Sequence, residues 1–284
     1  MIQRVRAPHL VVGLLLSIPH ASAEEAAPAP KDVSAAALVA KHELPDVEAF
    51  AKLSLADRRA VVKGARKAEI EALFKATPIE TLLAVARQNV RALGTYSATV
   101  VKTERVDGEL IDTQTIDTWV QEKPHAVRMT YVDGPGKGRR VVFNSASAEH
   151  GHEIRVKEAG LAGLAGPLWI DIDSGLTRKE SNYSVTAMSL GAMLQIVTDQ
   201  MHDCDPRNYI RHDEGMGPND RYYLRFEPRQ PGRIDLRLGF DVETGVLSFV
   251  EVRDQAGLRE RHDWRYVKQR KLPENYFTPE AAGL

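Results

Sequence analysis

Two periods divide the chain. Before Gly94 the apolar residues recur at helical spacing, and after it they recur at every second position. A first helical start is Ser54-Leu55-Ala56-Asp57, with Ser54 as cap and Asp57 as the acid of the first turn. Leu55, Val61, Val62, Ile70, Leu73 and Phe74 then form a broken stripe toward Lys75. The second start has Thr77 as cap, Pro78 at the first helical position and Glu80 closing a capping box. Ile79, Leu82, Leu83, Val85, Ala86 and Val90 form its buried face, and Gly94 ends it.

From Thr95 the pattern predicts strands. Tyr96, Ala98 and Val100 alternate with Ser97, Thr99 and Val101, Asp107-Gly108 marks a hairpin, and the chain returns through Ile111 to Val120. Further strands are expected at residues 126–132, 139–143, 153–157, 222–226, 234–241, 246–253 and 258–267, separated by turn residues such as Glu243-Thr244-Gly245 and Asp254-Gln255-Ala256-Gly257. Short turns between neighbouring strands imply an antiparallel meander. Helical spacing returns once, at Leu190, Met193, Leu194, Val197 and Met201, which predicts a helix over about 188–201.

The strands are one-sided. Ile234, Leu236, Leu238, Phe240 and Val242 alternate with Arg233, Asp235, Arg237 and Asp241; Tyr222, Leu224 and Phe226 repeat the pattern, as do Val127, Met129 and Tyr131. A long meander with one apolar face must curl or be covered by helices. If it curls wide, its interior is a cavity.

The N-terminus alters the picture. Arg4 and Arg6 precede the apolar run Leu10 to Leu16, and Ala21-Ser22-Ala23 follows Pro19, the pattern of a cleavable secretory signal over residues 1–23. No cysteine follows the run, so a lipid-anchored lipoprotein is not expected. Residues 24–34, rich in Ala, Pro and charge, read as a disordered linker. The layout is then a helical region over 35–93 and a β domain over 94–284. No later apolar run is long enough to span a membrane, which points to the bacterial periplasm. Cleavage removes two of the 38 basic residues and leaves 36 against 39 acidic ones, a balance that argues against nucleic acid as a partner. Residues 205–271 hold twelve arginines, but two lysines and twelve acids accompany them, as cross-strand pairs on a wet face would. The lone Cys204 forms no internal disulfide.

Candidate chemistry is sparse. Gly134-Pro135-Gly136-Lys137-Gly138 lacks the Ser/Thr and the helix that a phosphate loop needs and leads into Val141-Val142, so it reads as a hairpin connection. His150 and His152 would share one face of a strand, and His202-Asp203-Cys204-Asp205 adds metal-ligand types, but no third ligand is fixed. Cys204 has no paired base at a telling spacing, and no Gly-x-Ser-x-Gly elbow occurs. No catalytic residue, metal ligand or cofactor is assigned. The loop from Gly160 to Trp169 is both glycine-rich and apolar, which suits a lid over a cavity or an ordinary buried loop.

Several stretches carry a resemblance. "YSATVVKTERVDGEL", "KPHAVRMTYVDGPGKGRRVVFN", "LGAML", "GFDVETGVLSFVEVRD" and "WRYVKQRKLPENYFTPE", in that order, resemble the bacterial family called domain of unknown function 1571, from about Leu82 to the C-terminus. The shared points are Tyr96, Glu104, Lys123-Pro124, Gly138-Arg139, Asp241, Thr244-Gly245 and Phe277. More distantly the chain resembles LolA-type lipoprotein carriers and the sensor domain of RseB-type periplasmic regulators. Arg140, in place of an acid, and "SNYSVTAM", in place of an Arg-His pair, depart from the family pattern. The resemblance implies an α+β fold, mostly antiparallel β: a strongly curved, LolA-like half-barrel sheet covering helices, with an apolar interior suited to acyl chains.

The expectation is a non-enzymatic periplasmic protein that carries or senses lipid or the acyl chains of a lipoprotein. An envelope scaffold or protein-partner module with a filled core is the alternative, and a metal-dependent hydrolase at His150 and His152 the third. Val127, Met129, Tyr131, Leu236, Leu238 and Phe240 are the candidates for the cavity face, Leu164 and Trp169 for a lid, and Lys137, Arg139 and Arg140 for rim charges.

Overall fold

Four short helices lead into the sheet. In the computed structural model, which describes residues 47–202 and 207–284, they are α1 (Val47–Lys52), α2 (Leu55–Gly64), α3 (Lys67–Ala76) and α4 (Ile79–Leu93). The signal segment, the linker, the first part of the helical region and Cys204 lie outside the described residues. Ser54 caps α2 by accepting from the Asp57 amide at 3.2 Å. The broken stripe toward Lys75 is divided between two helices, with the break after Gly64, a poor helix former. There Arg66 turns extended and donates its amide to the Glu69 carboxylate at 2.8 Å. Thr77 does not cap α4: its hydroxyl donates instead to the Leu73 carbonyl at 2.7 Å, meeting one of the orphan carbonyls at the end of α3. Pro78 takes the cap position, and Gly94, at φ 61°, closes the helix.

A buried arginine ties these helices to the sheet. Arg58 is fully buried on α2 and donates to the Phe50 carbonyl at 3.1 Å and to the Asn89 carboxamide on α4. Asn89 in turn donates to the Thr244 carbonyl in a turn between strands. Charge-assisted bonds of this kind are what make a buried guanidinium tolerable.

Twelve strands follow: β1 (Thr95–Val106), β2 (Glu109–Leu110), β3 (Gln114–Gln121), β4 (Ala126–Asp133), β5 (Arg140–Asn144), β6 (Glu153–Lys157), β7 (Leu168–Asp171), β8 (Tyr209–Gly217), β9 (Arg221–Pro228), β10 (Asp235–Asp241), β11 (Leu247–Asp254) and β12 (Gly257–Gln269). Their order across the sheet is β7-β6-β5-β4-β3-β1-β12-β11-β10-β9-β8, with β2 paired to β1, and every pairing is antiparallel. The path is open. The chain steps outward from β1 to the β7 edge, crosses over through α5 (Leu190–His202), and steps inward from the β8 edge to β12, which pairs with β1 at the centre. The fold is thus α+β with an open antiparallel sheet over helices, as the one-faced pattern and the resemblance imply.

Gly134, Gly136 and Gly138 all have positive φ in the connection from β4 to β5, and a Cβ at Gly134 would lie 2.1 Å from the Thr113 carbonyl oxygen. The glycine-rich stretch is a hairpin connection, whose glycines let the chain bend close to its neighbour. Strand β7 and strand β8 escape the sequence pattern. They are the two edges of the sheet, where one side of the ladder is unpaired and the alternation that marks a half-buried strand fades.

The inner face packs in two clusters. One joins Phe74, Leu82 and Leu83 of α3 and α4 and Leu194 and Val197 of α5 to Leu224, Leu236, Leu238, Phe240 and Val252. The other joins Leu93, Met188 and Leu190 to Tyr96, Val100, Ile116, Val127, Met129, Phe143 and Trp264. The C-terminal segment covers the outer face instead, where Phe277 and Ala282 pack on Ala126 and Val142 and Arg128 lies against the Trp119 and Tyr276 rings.

Tyr96 fastens the crossover helix to the sheet: its hydroxyl donates to Glu122 at 2.7 Å and accepts from the Leu190 amide at 2.7 Å. Tyr96→Phe keeps the ring and leaves a buried amide unpartnered, so urea unfolding is expected to show a loss of about 1–3 kcal/mol. A change of about 0.3 kcal/mol or less would mean that this bond does not hold the helix.

Candidate functional site

The helical cover stops short of one wing. Helices α3, α4 and α5 fill the inner face under β8 to β12, whereas β4 to β7 face the irregular segment 172–185. Between them lies a cavity of about 320 Å³, at the small end of the roughly 300–1,000 Å³ of ligand pockets. Val141 and Val156 stand opposite one another on β5 and β6, and Val156 faces Leu168 on β7; the next row holds Ile154 and Ile170. These side chains and Tyr131 form the apolar wall, with Leu176 and Val185 opposite. Leu168 and Leu176 are 55% and 60% exposed and mark the mouth.

The other end is polar. Lys102 on β1, Arg139 beside β5, and Glu158, Lys179, Glu180 and Ser181 complete the lining. Arg139 is held by Glu158 at 2.7 Å and Glu180 at 2.8 Å, and Gln114 donates to Glu180 at 3.2 Å. The two carboxylates keep the Arg139 guanidinium charged against its burial, and the bonds donated by Arg139 and Gln114 hold the Glu180 carboxyl below its ordinary range.

Behind this end runs a row of buried ionisable groups. Lys102 sits 3.3 Å from Glu104, and Glu104 also accepts from Ser181 at 3.2 Å and from the Asn182 amide at 2.7 Å. His262 lies opposite Lys102 on β12 with Nε2 3.3 Å from Glu104, and Glu260 accepts from Tyr183 at 2.9 Å. Burial drives the Glu104 carboxyl up, but Lys102, His262 and the donated bonds more than offset it, and its net shift is downward. Burial raises Glu260 and Tyr183. Burial also pushes His262 down to about 4, so at neutral pH its ring is uncharged.

The residues singled out from alternation fall in different places. Val127, Met129, Leu236, Leu238 and Phe240 are at most 1% exposed, lie in the two core clusters and do not line the pocket, although Met129 pairs with the wall residue Val141; Tyr131 lines it. Leu164, on a short 3-10 turn over Gly160–Ala165, is 82% exposed and does not line the pocket. Trp169 faces the outer side, stacked 3.7 Å from His150 and beside Arg155, while its neighbours Leu168 and Ile170 face in. Arg139 and Arg140 part in the same way: Arg140 donates to the Ala282 carbonyl of the C-terminal segment at 3.2 Å. Lys137 is exposed in the hairpin, 3.5 Å from Asp133. Lys102 was missed, yet it continues the inward register of Tyr96, Ala98 and Val100 and was legible on that count.

The two histidines do not converge on one site. His150 bonds Glu153 at 2.7 Å, and His152 lies 3.2 Å from Asp173 and 4.0 Å from Asp171. That trio is the one group among the described residues with metal-ligand spacing; all three are exposed, and Arg178 approaches Asp173 at 3.8 Å.

His262 has a consequence for stability. Its folded value near 4 lies below the ordinary 6.5, so the unfolded chain binds the extra proton and stability falls as pH drops from 6.5 toward 4, by about 3 kcal/mol. Lys102, Glu104, Glu260 and Tyr183 face the ring. Between pH 6.5 and 5, thermal melts of His262→Gln should show a flatter slope than the parent protein; an unchanged slope would assign the loss to other groups.

Among the described residues no helix is long and apolar enough to cross a membrane. A search of curated proteins gives no match. Among solved structures, the chain is similar to the LolA superfamily protein NE2245 from Nitrosomonas europaea, at 12% identity over 72% of this chain and 100% of that one, with a TM-score of 0.34. It is similar to Mycobacterium tuberculosis lipoprotein LppX at 12% identity, over 69% of this chain and 99% of that one, with a TM-score of 0.38. The Pseudomonas aeruginosa MucA/MucB complex gives 16% identity over 68% and 60%, with a TM-score of 0.36. These scores are low, so function is read from this chain's own residues. Residues 93–233 match the family described as protein of unknown function (DUF1571), and they include Tyr96, Glu104, Gly138 and Arg139, so across that span the chain carries a DUF1571 domain.

Proposed function

We propose that this chain is a non-enzymatic binding protein of the bacterial periplasm that takes up the acyl chain of a lipid or lipoprotein. The observation that carries the proposal is the pocket under β4 to β7, with an apolar wall of Tyr131, Val141, Ile154, Val156 and Ile170 and a mouth at Leu168 and Leu176. Each methylene buried there contributes about 0.8 kcal/mol, so affinity needs no array of fixed polar groups. Delivery to the periplasm rests on the signal pattern of residues 1–23.

A second reading, an envelope module that docks a protein partner, has its own observation. Leu161, Leu164, Leu168 and Leu176 are all exposed within residues 161–176, more apolar surface than a stretch of this length usually shows water.

Binding of a fluorescent fatty acid separates the two. The parent protein is expected to bind it with saturation, and Ile170→Trp, which fills the pocket from a half-buried position, should weaken binding at least tenfold while leaving the thermal midpoint within a few degrees. A protein that binds no fatty acid, or whose binding ignores Ile170→Trp, would remove the acyl pocket as the site.

A further inference from the structure

The pocket is polarised along the strand order. Lys102 lies on β1 and Leu168 on β7, five strand steps apart, about 24 Å measured along the sheet surface and less across its curve. From Lys102 and Gln114 the inward residues become Tyr131, then Val141, then Ile154 and Val156, then Leu168 and Ile170. The polar end holds the buried Lys102, and at the apolar end Leu168 and Leu176 are exposed to solvent.

Lys102 is the unusual group. It is 4% exposed, lines the cavity, and has three ammonium donors with a single acceptor, Glu104 at 3.3 Å. Glu104 is itself claimed by Ser181 and the Asn182 amide. A buried ammonium with one protein acceptor that lines a cavity has donors to offer an acceptor entering it. The other cations of the lining differ. Arg139 is already paired with two carboxylates, Glu158 and Glu180, and Lys179 is exposed.

We propose that the pocket takes a single-chain fatty carboxylate head-inward, with its carboxylate on the Lys102 ammonium and its chain laid across β4 to β7 toward Leu168 and Leu176. This rests on the acyl-binding function proposed above and names the ligand class. One compact negative charge suits one under-used ammonium. A doubly charged phosphate head would meet Glu104, Glu158 and Glu180, while among the described residues of the lining the other cations are Arg139, already paired with two carboxylates, and the exposed Lys179.

The test compares dodecanoate with dodecanol, which share a chain and differ in the head. The parent protein is expected to bind the acid at least tenfold more tightly, and the carboxyl carbon of [1-13C]dodecanoate should titrate at a lower pH when bound than when free, as a nearby ammonium requires. Lys102→Met combined with Glu104→Gln, which avoids stranding a buried carboxylate, should erase the preference for the acid while still binding the alcohol. Equal affinity for acid and alcohol in the parent protein, or an unshifted carboxyl titration, overturns the head-inward placement and leaves acyl binding standing. Failure to bind either compound overturns acyl binding itself.

Discussion

A one-sided sheet of this length has more apolar inner surface than its helices can cover, and the rest of the structure follows from that constraint. Eleven strands lie side by side, yet α3, α4 and α5 pack chiefly on the half from β8 to β12. Water contact with the remaining half would forfeit the burial that makes the sheet stable. The chain answers with residues 172–185, an irregular segment that lies over β4 to β7 without interdigitating as a helix would. A cover that does not fill its space leaves a cavity.

The charged row at the centre of the sheet sets where that cavity ends. Lys102, Glu104, Glu260 and His262 occupy inward positions on β1 and β12, next in register to the apolar pair Val100 and Trp264. Carrying such groups inside costs several kcal/mol per ion before pairing. The pairs at 3.3 Å, the Asn182 amide and the Tyr183 hydroxyl offset that cost, and the neutral state of His262 avoids one further charge. Segment 181–183 therefore serves two parts at once. It closes the polar row, and through Ser181 it lines the pocket.

Much of the fold is legible in the sequence because alternation and turn chemistry coincide, as at β9, β10 and β11 with the Glu243-Thr244-Gly245 turn between the last two. Edge strands are the exception. Arg211, Asp213 and Glu214 on β8 read as loop because an edge strand has no fully buried face to write into the pattern. The site was less legible. Alternation tells which residues face inward, so it treats Leu238 and Val156 alike, but it does not tell which of them a helix will cover. A shift of one residue separates Trp169 from Leu168 and Arg140 from Arg139, and each pair divides between the two faces of the sheet. Lys102 and Glu104 could have been found from register alone, since a Lys and a Glu at inward positions are rare unless paired.

A crystal structure with ω-bromododecanoate bound, phased on the bromine, tests the central claim that the incompletely covered wing is a binding pocket. The account predicts an anomalous peak inside the space walled by Val141, Ile154, Val156 and Ile170 or at its mouth beside Leu168 and Leu176. A peak on the outer face, or a pocket filled by side chains from residues 166–185 with no ligand density, would contradict it.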